Sequence, residues 1–253
     1  MNYQYKNYKF ILQVNFGFFS DFKVIIGCLD FIIKNNINNF NFIWNNIRYQ
    51  DNNDNLFNKF FFNTSEYEIY DEDITAISIG SSYYQTFNSR KIFINSFNVL
   101  NHFNYFNNPV YLQLTNECVK ADNCIGVHVR GTDHVQHGPL IDLDIYFKHI
   151  DSKILSEDYT SIFLATDEEL YVEKFQQRYG KKVIINENIT RSKNKIAIHC
   201  TGVLDKEKLI TDVMLDAISL AQCKEIIITS SNVTGYTLAI NPTIKYTFID
   251  FLH

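Results

Sequence analysis

Between residues 124 and 248, short apolar runs alternate with stretches of helical period, and this alternation limits what the chain can fold into more than any other feature. Residues 124–129 (CIGVHV), 161–165 (SIFLA), 182–185, 225–229 (EIIIT) and 245–248 read as strands; residues 142–155, 167–179, 206–222 and 235–240 read as helices. Helix 167–179 opens on acids and closes on Arg178, as the helix macrodipole favours. Strand–helix–strand repeats form right-handed crossovers and a parallel sheet. The carboxyl ends of the strands then lie on one edge, where ligands bind.

The first half carries the same signal less clearly. Residues 9–15 (KFILQVN) read as a strand, residues 22–33 as a helix with Ser20 as N-cap, and residues 40–44 (FNFIW) as a second strand. Residues 75–79 and 91–94 read as further strands, residues 51–89 are otherwise polar and irregular, and residues 105–118 are mixed. Asparagine blurs the pattern: 24 of the 29 lie at or before Asn123, in runs that read as turns. The expected fold is α/β, with two Rossmann-like lobes of parallel sheet meeting near residues 115–123.

Composition excludes several classes. A net charge of −5 argues against a broad basic face for nucleic acid or an anionic membrane. Five scattered cysteines without a CxxC read as reduced thiols rather than a disulfide framework. The opening MNYQYKNYKF lacks a signal-peptide pattern, and no apolar stretch approaches the length of a transmembrane span. The expected location is cytoplasmic.

The chemistry concentrates in residues 124–138, CIGVHVRGTDHVQHG. The strand delivers His128 and Arg130 to the ligand edge, two residues apart and so on one face. An arginine at a strand's carboxyl end suits bidentate capture of phosphate, or else a salt bridge to a loop aspartate. Residues 225–235 (EIIITSSNVTG) run from strand through a hydroxyl-rich loop into a helix start, which serves as an anion site or as a plain helix cap. Gly17, after the first strand, allows a ligand or the other lobe to approach the backbone, or is an ordinary turn glycine.

Residues 128–134 (HVRGTDH) resemble the HVRRxD segment of fucosyltransferases, which is close to HVRRGD in α-1,2 enzymes and to HVRRTD in α-1,6 core enzymes. Residues 163–167 (FLATD) resemble the strand-plus-acid segment that follows, and residues 216–234 (DAISLAQCKEIIITSSNVT) resemble a third segment in the same order. The resemblance implies a GT-B-like fold, with an acceptor-side lobe at 1–118 and a donor-side lobe at 119–253. It implies metal-independent, inverting transfer of fucose from GDP-fucose to a glycan hydroxyl, with no cofactor. His128 and Arg130 would then contact the donor diphosphate. Asp133 would support the loop or the reacting end, and Asp216 would recognise the nucleotide base. Ser231 and Asn232, with Ser230 and Thr234 beside them, would flank the diphosphate.

The sequence departs from the family pattern at two positions. Gly131 stands where the second motif arginine belongs, and His134 where a lysine or tyrosine does. These departures leave open another nucleotide sugar, or a non-catalytic nucleotide- or glycan-binding relative. An inverting transferase needs a base for the acceptor hydroxyl and positive groups for the leaving diphosphate. The candidate bases are Asp133, His134, His137 and Asp21. His128, His134, His137, His199 and Cys200 are metal-ligand types, but their spacing matches no compact zinc pattern.

Overall fold

The structure is a computed structural model, and it describes residues 7–13, 17–38, 40–45, 56–61, 74–79, 90–132, 140–157, 159–198 and 205–249. The chain divides into two compact units, Met1–Gln113 and Leu114–His253. Among the described residues, no helix is long and apolar enough to cross a membrane.

In the first unit, strands β1 (Asn7–Gln13), β2 (Phe40–Asn45) and β3 (Ile74–Ile79) form a parallel sheet in the order β2-β1-β3. Helix α1 (Phe18–Lys34) links β1 to β2. Phe18, Phe22, Ile25, Leu29 and Ile32 recur every three or four residues and are all buried, which gives α1 one apolar face. Phe18 stacks on Phe61 at 5.0 Å between ring centroids, Phe22 lies 5.4 Å from Phe61, and Tyr105 lies 6.0 Å from Phe22. Among the described residues, Phe18, Phe19, Phe22, Phe40, Phe60, Phe61 and Tyr105 are core, with Phe60 and Phe61 supplied by the short helix α2 (Leu56–Phe60) and the residue after it.

Two expectations for this unit are corrected. Residues 91–94 (KIFI) are not a strand but part of the first two turns of α3 (Arg90–His102). Ser96, Val99 and Leu100 of α3 are buried at helical spacing, which a four-residue apolar run does not reveal. The N-cap of α1 is Gly17, without a side-chain cap bond, and Ser20 lies in the first turn, where its N–H donates to the Gly17 carbonyl at 2.9 Å. A 3-10 turn (Tyr105–Asn107) and α4 (Pro109–Glu117) occupy the stretch that reads as mixed.

The second unit is a five-stranded, all-parallel sheet in the order β6-β5-β4-β7-β8. Its strands are β4 (Cys124–Val129), β5 (Ser161–Thr166), β6 (Val183–Ile184), β7 (Glu225–Ile228) and β8 (Lys245–Phe248). The crossovers carry α5 (Leu143–Ser156), α6 (Glu169–Tyr179), α7 (Lys206–Ala221) and α8 (Asn232–Ile240). Every residue of β4 is buried, as suits a central strand covered on both faces. Gly126 is required there, because a Cβ would lie 2.9 Å from Ile226 Cγ2 and 3.0 Å from Cys223 Sγ and Leu220 Cδ2. From β4 the chain winds outward through β5 and β6, then returns to the other side of β4 for β7 and β8. The direction reverses between β4 and β7, so the crevice outside their carboxyl ends is where such a sheet takes a ligand.

Candidate functional site

Arg130 follows the last residue of β4 and is half-buried at this crevice. His128, two residues earlier and opposite Ala165 in the register with β5, is buried. The turn after Arg130 is tied down from β5: Asp167 Oδ1 accepts from Gly131 N, and Asp167 Oδ2 from Thr132 Oγ1, both at 2.8 Å. Asp167 thus holds the turn that presents Arg130, a role the sequence does not announce because 166–168 (TDE) reads as a helix start. Asp133, His134 and His137 lie outside the described residues, as do His199 and Cys200.

Gly131 has a local explanation. A Cβ at this position would lie 2.5 Å from Glu168 Cδ and 2.7 Å from Tyr171 Cε2. The space a second motif arginine would enter is filled by Glu168, which is 3% exposed. Burial pushes the Glu168 carboxyl above the usual range, and the neighbouring Asp167 adds to the shift while Lys195 opposes it. Tyr171 is pushed up in the same way, by burial and then by Glu168 and Asp167.

On the other side of the crevice, β7 ends at Ile228, and the chain passes Thr229 and exposed Ser230 to reach α8. Ser231 is the N-cap: its Oγ accepts from Val233 N at 3.2 Å, which leaves its O–H available to donate. Helix α8 begins at Asn232, three residues earlier than its apolar period indicates, so its first turn points its positive end at this edge. Thr234 is buried and its hydroxyl bridges the Thr229 carbonyl at 2.9 Å and the Ser231 carbonyl at 2.8 Å. Its side chain therefore holds the loop that leads into α8.

Asp216 projects from α7 and is buried. Its Oδ1 accepts from Asn186 Nδ2 at 2.7 Å, and the same amide reaches Ser219 Oγ at 3.3 Å. Burial pushes the Asp216 carboxyl up to about 7. The Asn186 bond and nearby Arg191 oppose the shift, and Asp212 and Asp167 add to it. The loop after β6 is bound to α7 and to β5: Thr190 N donates to Asp212 Oδ2 at 3.0 Å, Lys208 Nζ to the Asn188 carbonyl at 2.9 Å, and Ser192 N to the Asp167 carbonyl at 2.8 Å. Arg191 is buried in this loop, where its Nη2 donates to the Asn186 carbonyl at 3.0 Å; the sequence reading passed over this cation because it stands in a long loop with no motif around it.

Two candidates, Gly17 and Asp21, belong to the first unit. Gly17 has φ −68° and ψ 153°, which any residue adopts, and a Cβ there would meet nothing within 4 Å. The protein itself thus makes no close approach at Gly17 among the described residues. Asp21 is fully buried in the first turn of α1, not placed in solvent as a base for an acceptor would be.

No protein-family model and no curated protein matches the chain. Among solved structures it is similar to POFUT1. Against POFUT1 in complex with GDP the identity is 12% and the TM-score 0.42, over 75% of this chain and 56% of that one. Against apo POFUT1 the values are 11% and 0.45, over 97% and 75%. Against POFUT1 in complex with GDP-fucose they are 12% and 0.46, over 96% and 73%. The chain thus spans little more than half the length of the first of these.

Proposed function

We propose that the chain is a glycosyltransferase whose second unit binds a nucleotide-sugar donor, GDP-fucose, and transfers the sugar to a glycan hydroxyl with inversion. The observation that carries this reading is the placement of Arg130 and the Ser231-capped start of α8 on the two sides of one sheet's switch point. Both suit a diphosphate: a guanidinium that grips two oxygens, and a helix start with a hydroxyl donor. The resemblance of residues 128–134, 163–167 and 216–234 to fucosyltransferase segments supports the donor class.

In this reading the acceptor oxygen gives up its proton to a base and forms a bond to the anomeric carbon. The bond from that carbon to the phosphate oxygen breaks, and GDP departs with the electron pair. Arg130, the Ser231 hydroxyl and the N–H groups of α8 stabilise the growing charge on the diphosphate, so the step needs no metal. His128 sits on the same strand face as Arg130 and shapes its setting. Asp133 and His134 are the proposed bases.

Gly131 and Glu168 favour a second reading, a donor other than GDP-fucose, because one cation is absent and an acid fills its volume. The test is GDP release from GDP-fucose across a panel of glycan acceptors, repeated with other nucleotide sugars. Arg130→Ala is expected to lower turnover by about a hundredfold or more, as removal of one such donor does in other transferring enzymes. Unchanged turnover in the variant would refute the assignment. Turnover with a different nucleotide sugar alone would select the second reading.

A further inference from the structure

We infer that Cys124 and Cys223 form a redox-active dithiol, a modification site at which a small peroxide closes a reversible disulfide between the first residue of β4 and the turn that follows α7. The site is independent of the donor reading above.

The sequence does not mark the pair, since 99 positions separate the two cysteines and no CxxC joins them. The fold brings them together. β4 and β7 pair in parallel with Ile125 opposite Glu225, and Lys224 N donates to the Cys124 carbonyl at 2.9 Å. Adjacent strands lie about 4.8 Å apart, within the Cα separation a disulfide spans. Cys223 Sγ lies 4.0 Å from Cys124 Sγ and donates its S–H to it. Closing that gap to a bond of about 2 Å is within reach of rotation about the two Cα–Cβ bonds. Gly126 leaves room for the approach: a Cβ there would lie 3.0 Å from Cys223 Sγ, so a larger residue would crowd the thiol. Cys28 and Cys118 are placed differently. Cys28 belongs to α1 of the first unit, and Cys118 Sγ donates to the Thr115 carbonyl at 3.1 Å.

A buried cysteine by itself packs as a small apolar side chain. Mutual contact separates this pair from such filler and gives the two sulfurs different roles. The S–H donated by Cys223 holds the Cys124 thiol below its usual range, against the opposing pull of burial. The same bond, and then burial, holds Cys223 above its own. Cys124 is therefore the nucleophile and Cys223 the resolving thiol. Cys124 loses its proton, and its sulfur attacks one oxygen of the peroxide. The O–O bond breaks, the leaving hydroxide takes up the released proton as water, and Cys124 becomes a sulfenic acid. Cys223 Sγ then attacks the Cys124 sulfur. The S–O bond breaks, and the departing hydroxide leaves with the Cys223 proton as a second water. Two thiols are oxidised to one disulfide as one peroxide is reduced to two waters. Cys124 is 1% exposed and Cys223 8%, so the reaction takes a small oxidant.

The test treats the full chain with hydrogen peroxide under native conditions, alkylates the remaining thiols after denaturation and maps the peptides without reductant. The wild type is expected to lose the thiols of Cys124 and Cys223 and to yield a linked peptide pair that joins them, and dithiothreitol should restore both thiols. Cys118→Ser should give the same link, whereas Cys124→Ser and Cys223→Ser should lose it. The wild-type map decides the pairing even if a serine variant folds poorly. Free thiols at both positions after peroxide treatment, a link from either to another cysteine, or sulfinic acid at 124 in place of the link would overturn the inference.

Discussion

At position 131 a Cβ would lie 2.5 Å from Glu168 Cδ and 2.8 Å from Glu168 Cγ, so Glu168 and any side chain at 131 exclude each other. Gly131→Ala is expected to destabilise the protein by about 1–3 kcal/mol, the usual cost of overpacking. In a urea-unfolding cycle with Glu168→Ala, the double variant should lose less than the sum of the single losses. Strict additivity would mean the two side chains do not compete. Asp216 supplies a pH test. Its carboxyl titrates near 7 in the folded chain instead of 3.8, so the native state holds a proton that the unfolded state has released. Its contribution to stability is therefore full below about pH 4 and is lost as pH rises toward 7, at up to about 1.4 kcal/mol per pH unit. Asp216→Asn keeps an oxygen for Asn186 and should flatten that part of the stability–pH profile between pH 4 and 8. A variant profile parallel to wild type would exclude Asp216 as its source.

At the scale of elements, the site depends on how β5 supports the turn after β4. Asp167→Ala removes both acceptors that hold Gly131 and Thr132 and also unties the turn that presents Arg130. A stability loss of about 1–3 kcal/mol is expected, with weaker nucleotide binding, measured by urea unfolding and by titration of each variant with GDP. Tight GDP binding in Asp167→Ala would show that Arg130 needs no such support. The strands of the second unit are legible in the sequence because each is an apolar run bounded by polar turns and separated by helical period. The KIFI run at 91–94 is misleading because four apolar residues satisfy strand and helix equally, and burial at Ser96, Val99 and Leu100 decides between them. Arg130 and Ser231 are readable because a strand end and a hydroxyl-rich helix start each carry a chemical expectation. Asp167 is not, since its hold on the turn arises from a contact across 36 residues that no local pattern encodes.

At the scale of the molecule, each unit repeats one arrangement. A central strand, β1 in one and β4 in the other, has later strands added on both sides, so each sheet has a point where its winding reverses. In the second unit an arginine and a capped helix start flank that point, Arg130 after β4 and Ser231 after β7. The central claim is that this edge is a guanine-nucleotide site. It is tested most directly by a thermal-unfolding screen of the full chain with GDP, GDP-fucose, UDP, ADP and CMP, alongside Arg130→Ala. A ligand at about 100 times its Kd adds about 2.7 kcal/mol, or about 2–4 °C for a chain of this size. The account predicts a rise of that order with GDP and GDP-fucose, absent with the other nucleotides and lost in Arg130→Ala. No shift with any nucleotide, or an equal shift in wild type and variant, would contradict it.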